Sequence, residues 1–330
     1  MDERSTLLLT SEEVDTEMPM AELIGALEDA FGAYARDEAQ MPPKSYIDLP
    51  QYNGDFRSMP AYIHTEAWEA AGIKWVNSHA DNAENHDLPT VMGTMIYSDP
   101  ETAFPLAVLD GTGLTRLRTG AAAAVATRHL AVDDATSLGL VGAGTQAYTQ
   151  LEAISQVRDI RAVRVSDVSD EAVEAFVAAF DDEFDVRAAP IAETAGCDIV
   201  STTTPVREPI VHEVGENTHI NAMGADAPGK HEIDDGILTE ATIVIDDYEQ
   251  CTHSGEINVP WEAGLLDDGD LHGELGDVVT GSVAGRTGDG VTVFDSTGLA
   301  IQDVAAAHVI YEHASEHGIG TEFALVGTES

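Results

Sequence analysis

The chain has 330 residues and a mass of 35.0 kDa, enough for two ordinary domains, and its 43% hydrophobic content excludes wholesale disorder. Its 60 acidic and 15 basic residues give a formal net charge of -45, which argues against nucleic acid and anionic membranes as partners. Because the acids are scattered among apolar segments, we interpret them as a hydrated surface and expect a halophilic protein. Two cysteines, Cys197 and Cys251, supply neither a disulfide framework nor a zinc site. The sequence has no apolar stretch of about 18 residues, the length that predicts a membrane span, so we expect a soluble, cytoplasmic protein.

The N-terminal part of the chain predicts a helix followed by a sheet. Apolar residues from Met20 to Tyr34 recur every three or four positions, as on one face of a helix of about 18 residues. The short apolar and β-branched runs that follow are separated by Gly, Pro, Asn and Asp, which is typical of a mostly antiparallel sheet. The predicted strands are Ser45–Leu49, Ser58–Ile63, Gly72–Asn77, Thr90–Tyr97 and Pro105–Leu109. A second helix is predicted over Gly113–Ala131, where successive alanines favour close packing.

From Ser137 onward the patterns of strand and helix alternate, which indicates βαβ units and a parallel sheet. The predicted elements are strands in SLGLVGAG, Ala162–Asp167, CDIVSTTT, THINAMG, TIVIDD and VTVFDS, and helices over Gln146–Val157, Asp170–Phe180 and Leu299–Ala314. The last helix could return to cover the N-terminal sheet. We therefore predict two interlocked domains: a discontinuous α+β domain of residues 1–130 with 299–330, and an α/β domain of residues 131–298.

The turn Gly142-Ala143-Gly144-Thr145-Gln146-Ala147 lies between a predicted strand and a predicted helix. Its glycines allow a tight turn and a close approach of pyrophosphate, and the helix N-terminus offers N–H donors to phosphates. Such a turn is also a common βα connection, but Asp167 ends the next strand, where a carboxylate binds the ribose diol of a dinucleotide. Because a 2′-phosphate would be repelled there and no arginine follows, the sequence favours NAD over NADP. The alternative for Asp167 is to cap the next helix, which Ser169 could do instead.

Lysine is rare in this chain, and its three lysines are Lys44, Lys74 and Lys230. By strand alternation Lys74 lies on the face opposite Ile73 and Trp75, so we expect it to face a partly enclosed cavity. Burial lowers the pKa of a lysine, which can then transfer protons near neutral pH or bind a carboxylate. The alternative is an edge-strand lysine that prevents aggregation.

Two arginines and one aspartate are further candidates. Arg118 lies where the alanine-rich helix is predicted to begin, an unfavourable place for a cation unless an anion binds there. Arg57 and Arg118 could instead be surface arginines that pair with acids. Asp226 follows the strand in THINAMGAD, at the edge of a parallel sheet where ligands bind, and is the best acid or base candidate, although it could simply form a turn. The pair His313 and His317 has no third ligand nearby, so we expect no metal site.

Ten motifs together resemble the ornithine cyclodeaminase/mu-crystallin family. They are PPK (42–44), RSMPA (57–61), GIKWVNSH (72–79), LPTVMG (88–93), LTRLRTGAAA (114–123), GAGTQA (142–147), STTTP (201–205), INAMGADAPGKHE (220–232), GEINV (255–259) and FDSTGLAIQDVA (294–305). The resemblance implies a Rossmann-type NAD-binding domain, a smaller α+β domain for substrate binding and dimerisation, and a homodimer. Within the family, the sequence is most similar to archaeal members that oxidise alanine.

The resemblance also implies roles for individual residues. Lys74 and Asp226 would be catalytic, and the substrate would be bound by Lys44, Arg57, Lys74 and Arg118. The cofactor would contact Thr90, Arg118, Gly142, Gly144, Thr145, Gln146, Asp167, Thr203, Ala222, Met223, Lys230 and Ser296. Family members that cyclise ornithine carry a glutamate at the position of Arg57. The arginine of this chain would repel the distal ammonium of ornithine.

The resemblance, together with these residues, implies an NAD-dependent dehydrogenase that converts L-alanine to pyruvate and ammonium. The alternatives within the family are ornithine cyclisation to proline, ketimine reduction, and a mu-crystallin-like protein that binds NAD(P)H without turnover. The sequence leaves the side-chain specificity and the physiological direction open.

Overall fold

A computed structural model describes residues 5–16 and 18–327. The predicted domain limits at residues 1 and 330 lie outside the described residues. The strands are β1 (Thr6–Leu9), β2 (Ala39–Gln40), β3 (Ser45–Leu49), β4 (Gly54–His64), β5 (Glu69–His79), β6 (Val91–Ser98), β7 (Pro105–Asp110), β8 (Ser137–Val141), β9 (Ala162–Ser166), β10 (Asp185–Ala188), β11 (Ile199–Thr202), β12 (His219–Ala222), β13 (Thr242–Ile245), β14 (Leu271–Glu274), β15 (Thr292–Asp295) and β16 (Thr321–Phe323).

The helices are α1 (Ser11–Val14), α2 (Met20–Ala35), α3 (Asn82–His86), α4 (Gly111–Leu130), α5 (Thr145–Ile154), α6 (Asp170–Phe180), α7 (Ile191–Thr194), α8 (Asp235–Leu238), α9 (Tyr248–Ser254), α10 (Asn258–Glu262), α11 (Leu275–Thr280) and α12 (Ala300–His317). Short 3₁₀ turns span Pro50–Tyr52 and Asp268–Asp270. Within the described part of the chain, no helix is long and apolar enough to cross a membrane.

The chain divides into two compact units, and the first comprises residues 1–118 and 299–330. Its sheet has the strand order β16-β1-β7-β6-β5-β4-β2, with β3 also paired to β4. All of its strand pairs are antiparallel except β1 with β7. Helix α12 packs on α2 and on β4, β5 and β6, and so covers one face of this sheet. Leu23, Ile24, Leu27 and Phe31 of α2 are buried there, as the spacing of three and four predicts.

The second unit, residues 119–298, contains an all-parallel sheet of strand order β10-β9-β8-β11-β12-β15-β13-β14. Strand order reverses between β8 and β11, because β9 and β10 extend the sheet to one side and the later strands to the other. In such sheets ligands bind at the carboxyl ends of the strands beside this reversal. Helices α5 and α6 bury Leu151 and Phe176 against β8 and β9 in one apolar cluster.

Strand β3 and helix α6 have the predicted limits, and β4, β5 and β7 extend beyond theirs by one to several residues. Strand β6 begins and ends one residue later than predicted. Short elements, among them β1, β10, β14 and β16, were not predicted. Helix α4 begins at Gly111, two residues earlier than predicted, and its last twelve residues fall in the second unit.

Candidate active site

Unit 1 contains a buried cluster of charged side chains around Asp303. The carboxylate oxygen Oδ1 of Asp303 accepts hydrogen bonds from Nζ of Lys74 at 2.7 Å and from Nε of Arg118 at 3.1 Å. Residue exposures are 2% for Lys74, 7% for Arg118 and 0% for Asp303. Lys74 also donates to Oγ1 of Thr115 at 3.0 Å, and Arg118 Nη1 donates to Oε1 of Gln302 at 3.0 Å.

Three elements place these side chains. Strand β5 carries Lys74 between β4 and β6, opposite the buried Met59 and Met95, so the alternative of an edge-strand lysine is excluded. Helix α4 carries Thr115 and Arg118 on one face, since residues three apart are neighbours on a helix. Asp303 lies in the first turn of α12, where the helix dipole favours a negative charge.

Burial of the ammonium dominates the electrostatics of Lys74. The pKa of Lys74 is lowered from 10.5 to about 8, mainly by desolvation; Asp303 opposes the change, and the nearby cations Arg118 and Lys44 contribute to it. A lysine in this state exchanges a proton readily near neutral pH, as a general acid or base must. The structure buries Lys74, with 2% of the residue exposed, and the cavity that it was expected to face stays a prediction.

Two buried polar atoms at this cluster have no hydrogen-bond partner among the described residues: Oδ2 of Asp303 and Nε2 of Gln302. Buried polar atoms are nearly always paired in folded proteins. One unpaired acceptor and one unpaired donor next to two cations are typical of a site that binds a polar ligand or water.

The structure gives Arg118 a different explanation from the one predicted. Arg118 is the eighth residue of α4 rather than part of its first turn, so the helix dipole does not require an anion beside it. Its guanidinium is held through Nε and Nη1, which leaves the Nη2 edge for a ligand carboxylate.

The remaining unit 1 candidates are less enclosed. Arg57 donates to Asp55 through Nε at 2.8 Å and through Nη2 at 3.0 Å, and its guanidinium stacks 5.5 Å from the ring of Tyr46. This is the pairing with an acid that the sequence left open. Lys44 is half-buried and close enough to Lys74 to affect its pKa. Thr90 immediately precedes β6, where its carbonyl accepts from His79 N at 2.8 Å.

The glycine turn of unit 2 follows β8 at the reversal of strand order. Gly142 has a φ of 107°, and a side chain there would meet Oγ1 of Thr203 at 2.7 Å, so glycine is required. A Cβ on Gly144, in contrast, would meet nothing within 4 Å, so the backbone is open to a ligand there. Gly144 is the N-cap residue of α5, and the buried Oε1 of Gln146 has no hydrogen-bond partner within the described ranges 5–16 and 18–327.

Asp167 lies just beyond β9 and braces this turn. Its Oδ2 accepts from Ala143 N at 2.7 Å, and its Oδ1 accepts from Ser169 N at 2.8 Å. Ser169, not Asp167, caps α6 by accepting from Ala172 N, as the sequence suggested. The open turn, the helix N-terminus and this carboxylate fit the pyrophosphate and ribose of a dinucleotide.

The other predicted cofactor residues also follow strands of the parallel sheet. Thr203 comes after β11, Met223 after β12 and Ser296 after β15, and Ala222 is the last residue of β12. Ser296 donates to Oδ2 of the buried Asp246 at 2.9 Å.

Asp226 forms an ion pair with Lys230, four residues later, and its side chain is 45% exposed. Lys230 also donates to the carbonyl of Gly224 at 3.3 Å. The two residues are therefore partners of each other, which their sequence spacing alone did not indicate.

Sequence reasoning missed a buried glutamate that joins two of these loops. Glu232 accepts from the backbone and hydroxyl of Thr204, from the hydroxyl of Thr202 and from Gly224 N. Burial and the neighbouring Glu256 raise the pKa of Glu232 to about 7. Glu256 in turn accepts from the backbone of Glu232 and of Ile233, each at 2.7 Å. Within residues 5–16 and 18–327, no group of three His, Cys, Asp or Glu side chains could hold a metal ion.

The chain matches the ornithine cyclodeaminase/mu-crystallin family over residues 4–318. It belongs to this family. The resemblance predicted from the ten motifs is thus confirmed.

Individual family members are similar over nearly their whole length. The chain is 48% identical to the alanine dehydrogenase of Archaeoglobus fulgidus over 321 residues, which cover 96% of this chain and 98% of the relative. A solved archaeal alanine dehydrogenase dimer with bound NAD has a TM-score of 0.92 at 47% identity, covering 98% of this chain and 100% of that one. The Δ1-pyrroline-2-carboxylate reductase of Thermococcus litoralis, in complex with NADH and L-proline, has a TM-score of 0.90 at 34% identity, covering 96% and 99%. These structures confirm the predicted α/β fold with a Rossmann-type domain.

Proposed function

We propose that this chain catalyses the NAD-dependent oxidative deamination of L-alanine to pyruvate and ammonium, together with the reverse reductive amination. It is an NAD-dependent oxidoreductase that acts on a CH–NH2 group. The observation that carries the proposal is the buried cluster of Lys74, Arg118 and Asp303, in a chain 48% identical to an alanine dehydrogenase. Two buried cations that share one carboxylate retain a net positive charge, which suits a substrate carboxylate.

Arg118 and Lys74 bind the substrate carboxylate in this proposal. Arg118 is fixed through Nε by Asp303 and through Nη1 by Gln302, and it offers Nη2 to the substrate. A guanidinium matches the geometry of a carboxylate, and water exclusion around the buried pair strengthens the interaction. Fixing the carboxylate restricts the orientation of Cα, and a hydride transfer requires its Cα–H bond to be oriented toward the acceptor.

Lys74 transfers the proton. With a pKa near 8, its neutral form is present in useful amounts at neutral pH and can accept a proton from the ammonium group or from water. Asp226, the second predicted acid or base, is held by Lys230, so its role depends on that pair.

Unit 2 holds the cofactor in this proposal. The turn of Gly142 and Gly144 binds the pyrophosphate, Asp167 binds the ribose, and Gln146 offers its unpaired Oε1. When bound, NAD accepts the hydride from Cα of the amino acid, or returns it as NADH.

We also propose a homodimer, because the archaeal alanine dehydrogenase of similar structure is a dimer. The cytoplasmic and halophilic assignments made from the sequence stay predictions. A second candidate activity is reduction of Δ1-pyrroline-2-carboxylate, since the Thermococcus litoralis reductase has the same fold at 34% identity.

The deciding experiment follows NADH absorbance with the purified chain. L-alanine and NAD should produce NADH, and pyruvate with ammonium should consume it. Faster NADH consumption with Δ1-pyrroline-2-carboxylate would favour the reductase, and proline formed from ornithine without net NADH would favour cyclisation. NADH binding without any turnover would refute an enzymatic role.

Two matched variants test the carboxylate site. Arg118→Met should raise KM for both alanine and pyruvate by on the order of a hundredfold, since a charged hydrogen-bonded pair contributes about 1.5–3 kcal/mol. Arg116→Met is the control: Arg116 lies on the same helix but pairs with Asp15 at the surface. An equal effect of both variants would mean that Arg118 does not bind substrate.

A further inference from the structure

Asp303 is a carboxylate that has none of the roles implied by the ten motifs. It reaches Lys74 across 229 positions of sequence and Arg118 across 185, and both contacts use the same oxygen, Oδ1. The other oxygen, Oδ2, has no partner among the described residues. An unpaired buried acceptor costs free energy, so stability alone does not account for this arrangement.

We propose that Asp303 is a positioning residue that sets the separation of Lys74 and Arg118 and keeps the Lys74 ammonium protonated for substrate reduction. The proposal deepens the proposed dehydrogenase function and rests on it for its kinetic consequences. Its structural content does not depend on turnover.

The positioning follows from the geometry. Lys74 has a long flexible side chain, and two of its N–H donors are already directed by Oδ1 of Asp303 and Oγ1 of Thr115. Thr115 is itself oriented, since its hydroxyl donates to the carbonyl of Gly111 at 2.6 Å. Asp303 thus joins β5, α4 and α12 at one atom, and fixing two rotamer-rich side chains before substrate arrives lowers the entropic cost of binding.

The charges around Lys74 explain why Asp303 keeps its ammonium protonated. The charged groups that act on the Lys74 ammonium are Asp303 from α12, Arg118 from α4, and Lys44 from the segment before β3. Arg118 and Lys44 disfavour a positive Lys74, as does burial, so Asp303 is the one of these charges that favours it. Removing that carboxylate should shift Lys74 towards its neutral form.

The chain offers a direct measurement, because it contains only three lysines. Labelling with lysine that carries ¹³C at Cε gives three NMR signals, and Lys74→Met assigns one of them. In the unmodified protein the Lys74 signal should titrate near pH 8. In Asp303→Asn it should titrate lower by at least about one pH unit, a tenfold change in the protonation equilibrium.

A second variant tests whether Lys74 and Arg118 share the Asp303 carboxylate, without altering Asp303. In Arg118→Met, one cation that lowers the pKa of Lys74 is gone and Asp303 belongs to Lys74 alone, so the Lys74 signal should titrate at higher pH. If Asp303→Asn does not fold, as judged by thermal melting and NADH binding, this variant decides the question. An unchanged Lys74 titration in a folded Asp303→Asn protein, or in Arg118→Met, would overturn the proposal.

Asp15→Asn is the matched control. Asp15 also pairs with an arginine of α4, Arg116, but at the surface. It should leave the Lys74 titration unchanged. A shift equal to that of Asp303→Asn would show that any loss of negative charge has this effect, and the proposal would then be wrong.

Enzyme kinetics distinguish control of protonation from a purely structural role of Asp303. Alanine oxidation needs neutral Lys74 and pyruvate reduction needs protonated Lys74, so in Asp303→Asn the pH profile of kcat/KM in each direction should move to lower pH by about one pH unit, a tenfold change in the protonation equilibrium. Lowered rates with an unmoved pH profile would argue against control of protonation. If the unmodified chain turns over neither substrate, the dehydrogenase proposal fails, while the lysine titration still tests Asp303.

Discussion

The preference for NAD depends on one carboxylate, that of Asp167. Its two oxygens accept from Ala143 N and Ser169 N, and each keeps a lone pair for a further donor. The two hydroxyls of an adenosine ribose would supply these donors. The two backbone bonds hold the carboxylate in place before the cofactor arrives, so little ordering is needed on binding.

NADP would instead bring a phosphate against this carboxylate. Two unit charges about 4 Å apart repel by about 4 kcal/mol at an effective dielectric constant near 20. A lost hydrogen bond to a charged group adds about 1.5–3 kcal/mol. Because the residue is partly exposed, screening reduces the sum, and a net value of about 3 kcal/mol corresponds to a preference for NAD on the order of a hundredfold.

Asp167→Asn and Asp167→Ala should therefore remove most of the preference, as measured by the ratio of kcat/KM for the two cofactors and by fluorescence titration with NADH and NADPH. Asp170→Asn is the control, because Asp170 begins α6 three residues away and its removal changes the net charge equally. Similar affinities for NAD and NADP in the unmodified chain, or a full preference retained in Asp167→Asn, would refute the assignment.

Two further predictions concern stability. Gly120→Ala should lower the melting temperature, since a Cβ there would lie 2.7 Å from the carbonyl carbon of Thr149, and such overpacking costs about 1–3 kcal/mol; Gly25→Ala, in α2 with nothing within 4 Å, should not lower it. Because the pKa of Glu232 is raised from 4.5 to about 7, the folded state binds more protons than the unfolded state in that range, and the free energy of unfolding should fall as pH rises from 4.5 to 7. Glu232→Gln, which resembles the protonated acid, should flatten this dependence in urea titrations, whereas an unchanged slope would assign it to other groups.

Periodicity predicted the elements that carry the site, because each of them is long or strongly patterned. The alternation around Lys74 placed it on the buried face of β5, and the spacing of three and four located α2, which has 16 residues where about 18 were expected. The glycine turn and Asp167 could be recognised because both follow strands within one βαβ unit, which keeps their relation local in sequence.

The partners of these residues could not be predicted in the same way. Asp303 is separated from Lys74 by 229 positions, and no spacing rule relates residues that far apart. Its only sequence signal was its place in the motif over 294–305, two residues after the buried Ile301 of the last helix. Glu232 and Glu256 were missed because acids in a chain with 60 of them are expected at the surface, yet both are fully buried and accept backbone hydrogen bonds.

The acidity of the chain and the burial of its cations lead to opposite responses to salt. A net charge of -45 makes the folded chain repel itself, and screening shortens the reach of that repulsion from about 10 Å at 0.1 M salt to about 3 Å at 1 M. The melting temperature should therefore rise steeply as KCl increases from about 0.1 to about 3 M. Lys74 and Arg118 are only 2% and 7% exposed, so mobile ions screen their attraction for a carboxylate much less, and KM for pyruvate should rise only modestly over the same range. Sucrose at matched osmolality separates charge screening from general exclusion effects, since it should stabilise the chain less than KCl does. A melting temperature that stays flat or falls with KCl would refute the halophilic interpretation of the charge, and a KM that rises as steeply as the stability would mean that the substrate meets its cations in open solvent.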